Sequence, residues 1–186
     1  RVNLLYVARH GETEWNEKGI ISGRSDIDLS NIGYQQAKSL AEEVEELEIP
    51  ITKVIHSPLN RAKETARLVA EKNNLSMVVD ERLIELDYGI YDGTSDKQVE
   101  YLQNRTQFAL RYPEGESLMD VYARVVPLLK EIEEDPENVY LLVCHNSVIR
   151  AIKNYFEPLK NEEVFEYRTP NAKLIEFKNK KSSVKI

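Results

Sequence analysis

The sequence predicts an α/β protein, a three-layer α/β/α sandwich around a mostly parallel central sheet. Three observations carry that prediction. Short apolar blocks alternate with stretches of helical periodicity along the whole chain. Two of the blocks, Leu4-Leu5-Tyr6-Val7-Ala8 and Val139-Tyr140-Leu141-Leu142-Val143-Cys144, are apolar throughout, as strands covered on both faces are. Each is followed by a histidine, His10 after Arg9 in the first case and His145 in the second. Functional groups of an open α/β sheet gather beyond the carboxyl ends of its parallel strands, so two such strands side by side would bring both imidazoles to one edge. An arginine beside one of them points to an anionic substrate, with phosphate foremost.

Residues 2–8 read as the first strand, followed by a glycine-bearing loop over 11–28. Ser30 is a suitable cap for a helix through Glu48, in which Ala37, Leu40, Ala41, Val44 and Leu47 recur at helical spacing and Pro50 marks the stop. Lys53-Val54-Ile55-His56 is a second strand. Ser57-Pro58 reads as a cap with proline at the first helical position, opening a helix that turns Ala62, Ala66, Leu68, Val69 and Ala70 inward. Met77-Val78-Val79 is a third strand, and 81–93 a loop of acids, tyrosines and two glycines. Residues 94–111 form a polar helical excursion, read either as a cap over a site or as a solvated surface helix. Ser117 opens a helix carrying Val121, Val125, Leu128, Leu129 and Ile132, with a kink expected at Pro127. A strand over 139–144 and a helix over 147–156 follow. Leu174-Ile175-Glu176-Phe177 adds an edge strand, and the lysine-rich stretch at 178–181 is expected to fray.

At 186 residues the chain suits one domain, 1–186, burying roughly 70% of the surface its unfolded form exposes. Composition is that of an ordinary globular protein, with 41% hydrophobic and 31% charged residues. The net charge of −7 argues against a general nucleic-acid binder, and no stretch is apolar enough for a membrane span. Acids cluster on two helices, at Glu42-Glu43, Glu45-Glu46 and Glu48 and again over 131–137, where solvated outer faces explain them. The lone Cys144 cannot close an intrachain disulfide and no secretory signal is visible, so a reducing cytoplasm is the expected address. Oligomeric state is not legible.

Phosphoryl transfer through histidine needs a neutral imidazole whose second nitrogen keeps its proton in a hydrogen bond, often to a backbone carbonyl. His10 stands where that is feasible. Cationic donors must hold the phosphoryl oxygens, because positioning and electrostatics supply most of the catalysis. Arg9 is adjacent, and Arg61 falls in the first turn of a helix after another strand end, where backbone amides also favour an anion. Glu85, in Leu83-Ile84-Glu85-Leu86, is flanked by apolar residues and is the candidate acid for a leaving alkoxide, then the base that activates water. Taken singly, each residue has a structural alternative: a satisfied strand-end histidine, an arginine paired with a surface acid, one glutamate among many. His56 is assigned a structural or peripheral role. Cys144 is expected to be buried and inert, and no metal site is expected from three histidines without ligand spacing.

The ordered set Arg9-His10-Gly11-Glu12-Thr13-Glu14-Trp15-Asn16, Ser22-Gly23, Asp28-Leu29-Ser30, Gly33, Ser57-Pro58-Leu59-Asn60-Arg61-Ala62, Thr65-Ala66, Glu85 with Tyr88-Gly89, Glu114-Gly115-Glu116-Ser117, Val143-Cys144-His145, Val148-Ile149-Arg150 and Asn171-Ala172 resembles the histidine phosphatase superfamily, also called phosphoglycerate mutase-like. The resemblance covers nearly the full length. It implies that His10 becomes a transient phosphohistidine, that Arg9, Arg61 and His145 hold the phosphoryl group, and that Glu85 donates the proton, with no cofactor and no metal. Asn16, Ser22, Gly23, Tyr88 and Asn146 are the candidates for lining the substrate pocket. The chain departs from the family where Asn146-Ser147 replaces the frequent pair of glycines, and where Pro113-Glu114-Gly115 replaces Pro-Gly-Gly. Family mutases are longer and carry extra basic segments over the site, whereas 94–111 supplies only Lys97, Arg105 and Arg111. The expected function is therefore a phosphatase acting on a small phosphorylated metabolite. A phosphoglycerate mutase is the alternative, and a non-catalytic phospholigand-binding protein a third reading.

Overall fold

The computed structural model describes residues 4–178. The start of the first strand at residues 2 and 3, and the lysine-rich ending from Asn179 onward, lie outside the described residues. Strands β1 (Leu4–Arg9), β2 (Lys53–His56), β3 (Met77–Val79), β4 (Tyr140–Cys144) and β5 (Leu174–Lys178) form one sheet in the order β3-β2-β4-β1-β5. The first four are parallel and β5 runs antiparallel along β1. The helices are α1 (Glu14–Lys18), α2 (Asn31–Glu45), α3 (Asn60–Asn73), α4 (Val99–Arg105), α5 (Leu118–Glu133), α6 (Asn146–Phe156) and α7 (Asn161–Glu166).

Strand side chains alternate between faces, which explains why β1 and β4 are apolar without interruption. Leu5 and Val7 of β1, with Leu142 and Cys144 of β4, pack under α5 and α6 against Val121, Val125, Val148 and Ile149. Tyr6, Ala8, Leu141 and Val143 face the other way, onto Leu40, Ala41 and Val44 of α2 and Ala62, Ala66 and Val69 of α3. Both faces are thus covered and the predicted three layers are present.

Several boundaries differ from expectation. The α2 helix stops at Glu45 because its end tightens, with Leu47 N bonding to Val44 O. The α3 helix opens at Asn60 with Leu59 as its cap residue, not at Ser57-Pro58. The Ser57 hydroxyl is turned instead toward His145. Only 99–105 of the 94–111 excursion is helical. The chain then doubles back, held by Asn104 Nδ2 on Leu110 O and by Met119 N on Phe108 O. The α5 helix runs unbroken through Pro127, since the ring and the Ala123 carbonyl it leaves without an N–H partner both lie on the exposed face. Helices α1 and α7, and two 3₁₀ turns at Glu81–Leu83 and Gly89–Tyr91, had no counterpart in the sequence reading. No helix among the described residues is long and apolar enough to cross a membrane.

The loop after β1 lies directly on the start of α2. A Cβ at Gly11 would stand 2.5 Å from Gly33 O, and one at Gly33 would stand 2.1 Å from Glu12 O. Glu12 O also accepts from Ser30 N, and Glu12 N donates to Gln36 Oε1. Replacing Gly33 by alanine must therefore shift backbone against backbone. We expect Gly33→Ala to cost about 1–3 kcal/mol of stability, the usual cost of overpacking, read as a lower denaturant midpoint; an unchanged midpoint would show that this interface has slack.

Candidate active site

Strand register sets the site. Arg9 lies opposite Cys144 in the β1–β4 pairing, so the residues that follow, His10 and His145, leave the sheet at the same level. His10 N donates to Cys144 O at 3.1 Å, and the two imidazole centroids are 5.2 Å apart. On the other flank of β4, Ser57 N donates to Val143 O, which brings the end of β2 alongside.

His10 is buried, with Nδ1 2.6 Å from Gly11 O. A carbonyl only accepts, so Nδ1 carries the proton and Nε2 keeps its lone pair when the ring is neutral. Burial, then the Arg61 and Arg9 guanidinia, hold this imidazole well below its ordinary value of 6.5, against a small opposing effect of the Gly11 carbonyl. The loop is fixed further by Gly11 N donating to Thr65 Oγ1 on α3.

His145 is fully buried, and the same causes, burial first, keep it well below its ordinary value. Its Nε2 is 2.7 Å from Ser57 Oγ. The Ser57 oxygen already accepts from Leu59 N at 3.3 Å, so its hydroxyl proton suits His145 Nε2, which leaves Nδ1–H as a donor. Among the described residues, His145 Nδ1, Arg9 Nε, Arg61 Nε, Ser22 Oγ and Thr169 Oγ1 are buried and have no hydrogen-bond partner. Unmet donors on His145, its neighbours Arg9 and Arg61, and Ser22 form an arrangement suited to an oxyanion, because burying donors without acceptors is otherwise costly.

Arg61 is positioned from α3 and is buried. Its Nη1 donates to Ser25 O and its Nη2 to Gly23 O, at 2.7 and 2.8 Å. Arg9 reaches Thr169 O with Nη1 at 3.0 Å. Glu85 is buried on the loop before the second 3₁₀ turn; its Oε1 accepts from Leu86 N at 2.7 Å. Burial raises its pKa although the Leu86 N–H, Arg61 and Arg9 favour the carboxylate. The Glu85 carbonyl accepts from Arg24 and Arg124, which share Glu116 as their counter-ion.

Arg9, His10 and Glu85 line a cavity of about 250 Å³ together with Asn16, Ser22, Tyr88 and Asn146, whereas Arg61 and His145 are fully buried and are not among its lining residues. Asn16 is fixed by the cap of α1, where its Oδ1 accepts from Thr13 N. The Tyr88 hydroxyl pairs with Ser147, and Asn146 Oδ1 accepts from Thr169 N. Gly23 stands behind the wall, its N–H on Asp92 and its carbonyl on Arg61, so both backbone groups are engaged within the protein. Of the remaining suspects, His56 is buried with Nδ1 on Ser57 O, and Cys144 is fully buried with its thiol pKa pushed up. Seven cavity residues were not among the predicted site residues: Ile20, Ile21, Asp96, Tyr101, Arg105, Arg168 and Asn171, of which Asn171 had entered only as part of the family-like set and Asp96, Tyr101 and Arg105 only as part of the possible cap.

The sequence model of the histidine phosphatase superfamily (branch 1) matches residues 5–186. The chain belongs to the histidine phosphatase superfamily. It is 34% identical over 156 residues to phosphoserine phosphatase 1 of Hydrogenobacter thermophilus, covering 80% of this chain and 73% of that protein. It is 37% identical over 157 residues to a protein of Enterobacter sp. (strain 638) named "Probable phosphoglycerate mutase GpmB", covering 80% and 72%. Among solved structures, a mycobacterial glucosyl-3-phosphoglycerate phosphatase in complex with VO3 aligns with a TM-score of 0.85 at 28% identity, over 94% of this chain and 90% of that one. The superfamily members so named are phosphatases and a mutase. Glu114, at which the sequence departs from the pattern it resembles, takes a φ of +62°, the left-handed region in which a side chain is strained.

All three histidines are held below their ordinary value of 6.5, with burial as the first cause. Below that pH the unfolded chain binds protons that the folded chain refuses, so their contribution to stability is present above 6.5 and lost as pH falls. Glu85, with its pKa raised, acts in the opposite sense. We expect His56→Gln to flatten the fall in thermal midpoint between pH 7 and pH 5.5 relative to the wild type; identical slopes would contradict a neutral buried His56.

Proposed function

We propose that the protein is a metal-independent phosphomonoester phosphatase that acts on a small phosphorylated metabolite through a phosphohistidine. The supporting observation is the locked His10 ring, Nδ1 on Gly11 O, set among buried donors that lack partners. In this reading Nε2 attacks phosphorus, the P–O bond to the alcohol breaks, and the departing alkoxide takes the proton of Glu85. Arg9, Arg61 and His145 bind the three phosphoryl oxygens as charge redistributes. Glu85, now ionised, removes a proton from water as it attacks the phosphohistidine. The P–N bond breaks, and inorganic phosphate and neutral His10 are restored.

Water is the favoured acceptor over a second substrate hydroxyl. Of the basic residues in 94–111, only Arg105 lines the cavity, while Arg111 is paired with Asp120 at 3.0 Å. In the same reading, 94–111 serves as a partial cap, through Asp96, Tyr101 and Arg105.

His10→Ala is expected to abolish turnover of a generic aryl phosphate while leaving the thermal unfolding transition cooperative; retained turnover would reject the phosphohistidine route. Glu85→Gln is expected to slow hydrolysis by about 100-fold or more for substrates with poor leaving groups and far less for activated ones. The wild type needs Glu85 protonated, so kcat/KM for poor leaving groups should decline as pH rises through its raised pKa, a limb absent from the variant. Equal losses across leaving groups would contradict a proton-donor role.

A further inference from the structure

We infer that the substrate carries a second anionic group, seated on Arg168 and Arg105 while its phosphate lies against His10. This deepens the phosphatase reading and rests on it.

Arg168 is exposed and makes no hydrogen bond or salt bridge among the described residues, which for an isolated surface arginine would indicate solvation alone. Its backbone is not that of a free surface loop. Phe165 O accepts from Arg105 Nη1 at 2.9 Å and from Arg150 Nη2 at 2.8 Å, and Tyr167 O accepts from Arg150 Nε at 3.0 Å. Thr169 N donates to Asn146 Oδ1 at 2.9 Å, and Thr169 O accepts from Arg9 Nη1 at 3.0 Å. Residues 165, 167 and 169 are thus each tied by side chains of the cavity wall or of α6, and residue 168 is delivered to the rim between two tied neighbours. Arg105 arrives from α4, is bonded through one nitrogen to the same segment, and lines the same cavity.

Charge counting points the same way. A phosphate dianion is already matched by Arg9 and Arg61. Arg105 and Arg168 are two further cations at a cavity of a protein whose net charge is −7. Two carboxyls also line the cavity, Glu85 near the phosphate end and Asp96 beside Gly19, where a Cβ would be 3.2 Å from its Oδ1. An anionic tail would be repelled by Asp96 and attracted by the two arginines. Guanidinium forks suit a carboxylate or a second phosphate, and a volume of about 250 Å³ suits a small metabolite.

The test uses two matched pairs of substrates, with released phosphate as the readout. One pair is a phosphorylated hydroxy acid and its neutral amide. The other is a polyol bisphosphate and the corresponding monophosphate. The wild type should prefer the charged member of one pair by about tenfold in kcat/KM, mostly through KM, the size expected of one charge-assisted contact. The pair that shows the preference tells carboxylate from phosphate. Arg168→Ala and Arg168→Gln should bring that ratio close to one, with Arg168→Lys keeping part of it. No preference in either pair, or a preference untouched by both neutral variants, overturns the inference. Failure of the wild type to release phosphate from any of these substrates, or from an aryl phosphate, would instead overturn the phosphatase reading beneath it.

Discussion

The site depends on keeping two imidazoles uncharged between two guanidinia in a place that water scarcely reaches. A protonated His10 would have no lone pair to offer and would face Arg9 and Arg61 as a third like charge. Desolvation and repulsion both favour the neutral ring, and the Gly11 carbonyl decides which nitrogen holds the proton. The same burial works in reverse on Glu85, where it favours the protonated carboxyl. One physical cause, removal from water, therefore favours the uncharged form of both a nitrogen base and a carboxylic acid that line the same cavity.

That environment comes from the sheet. Two strands covered on both faces end in register, so the histidines need no long side-chain reach or special loop to meet. The surrounding hydrogen bonds are then concerned with angle more than proximity: Ser57 turns His145, the loop carbonyls of 23 and 25 turn Arg61, and Arg24 with Arg124 steadies the Glu85 backbone. The helpers come from the turn after β2, the loop at 23–25 and α5, so the cluster is braced from several directions.

Much of the architecture was legible in the sequence because its signals are local. The unbroken apolar runs at β1 and β4, the cap at Ser30 and the periodicity of α2, α3 and α5 follow from neighbours along the chain. The α1 helix was illegible by that route, being five mostly polar residues with no apolar repeat; only the Thr13-x-x-Asn16 capping box would have shown it. Ser57 was misread because a serine before proline resembles a helix cap, and its actual partner is 88 residues away. Arg168 gave no local signal at all. A lone arginine in a polar stretch acquires meaning only from the ties on residues 165, 167 and 169, which come from four distant side chains.

The interlocked backbones of Gly11 and Gly33 carry a mechanical corollary. With 2.5 Å and 2.1 Å separating hypothetical methyl groups from carbonyl oxygens, the segment bearing His10 has no travel available toward α2. Any breathing needed to admit a molecule and discharge its products falls to the perimeter, where helices are short and side chains reach solvent. Bond making would thus proceed against a stationary base, with traffic regulated by parts that can yield without disturbing it.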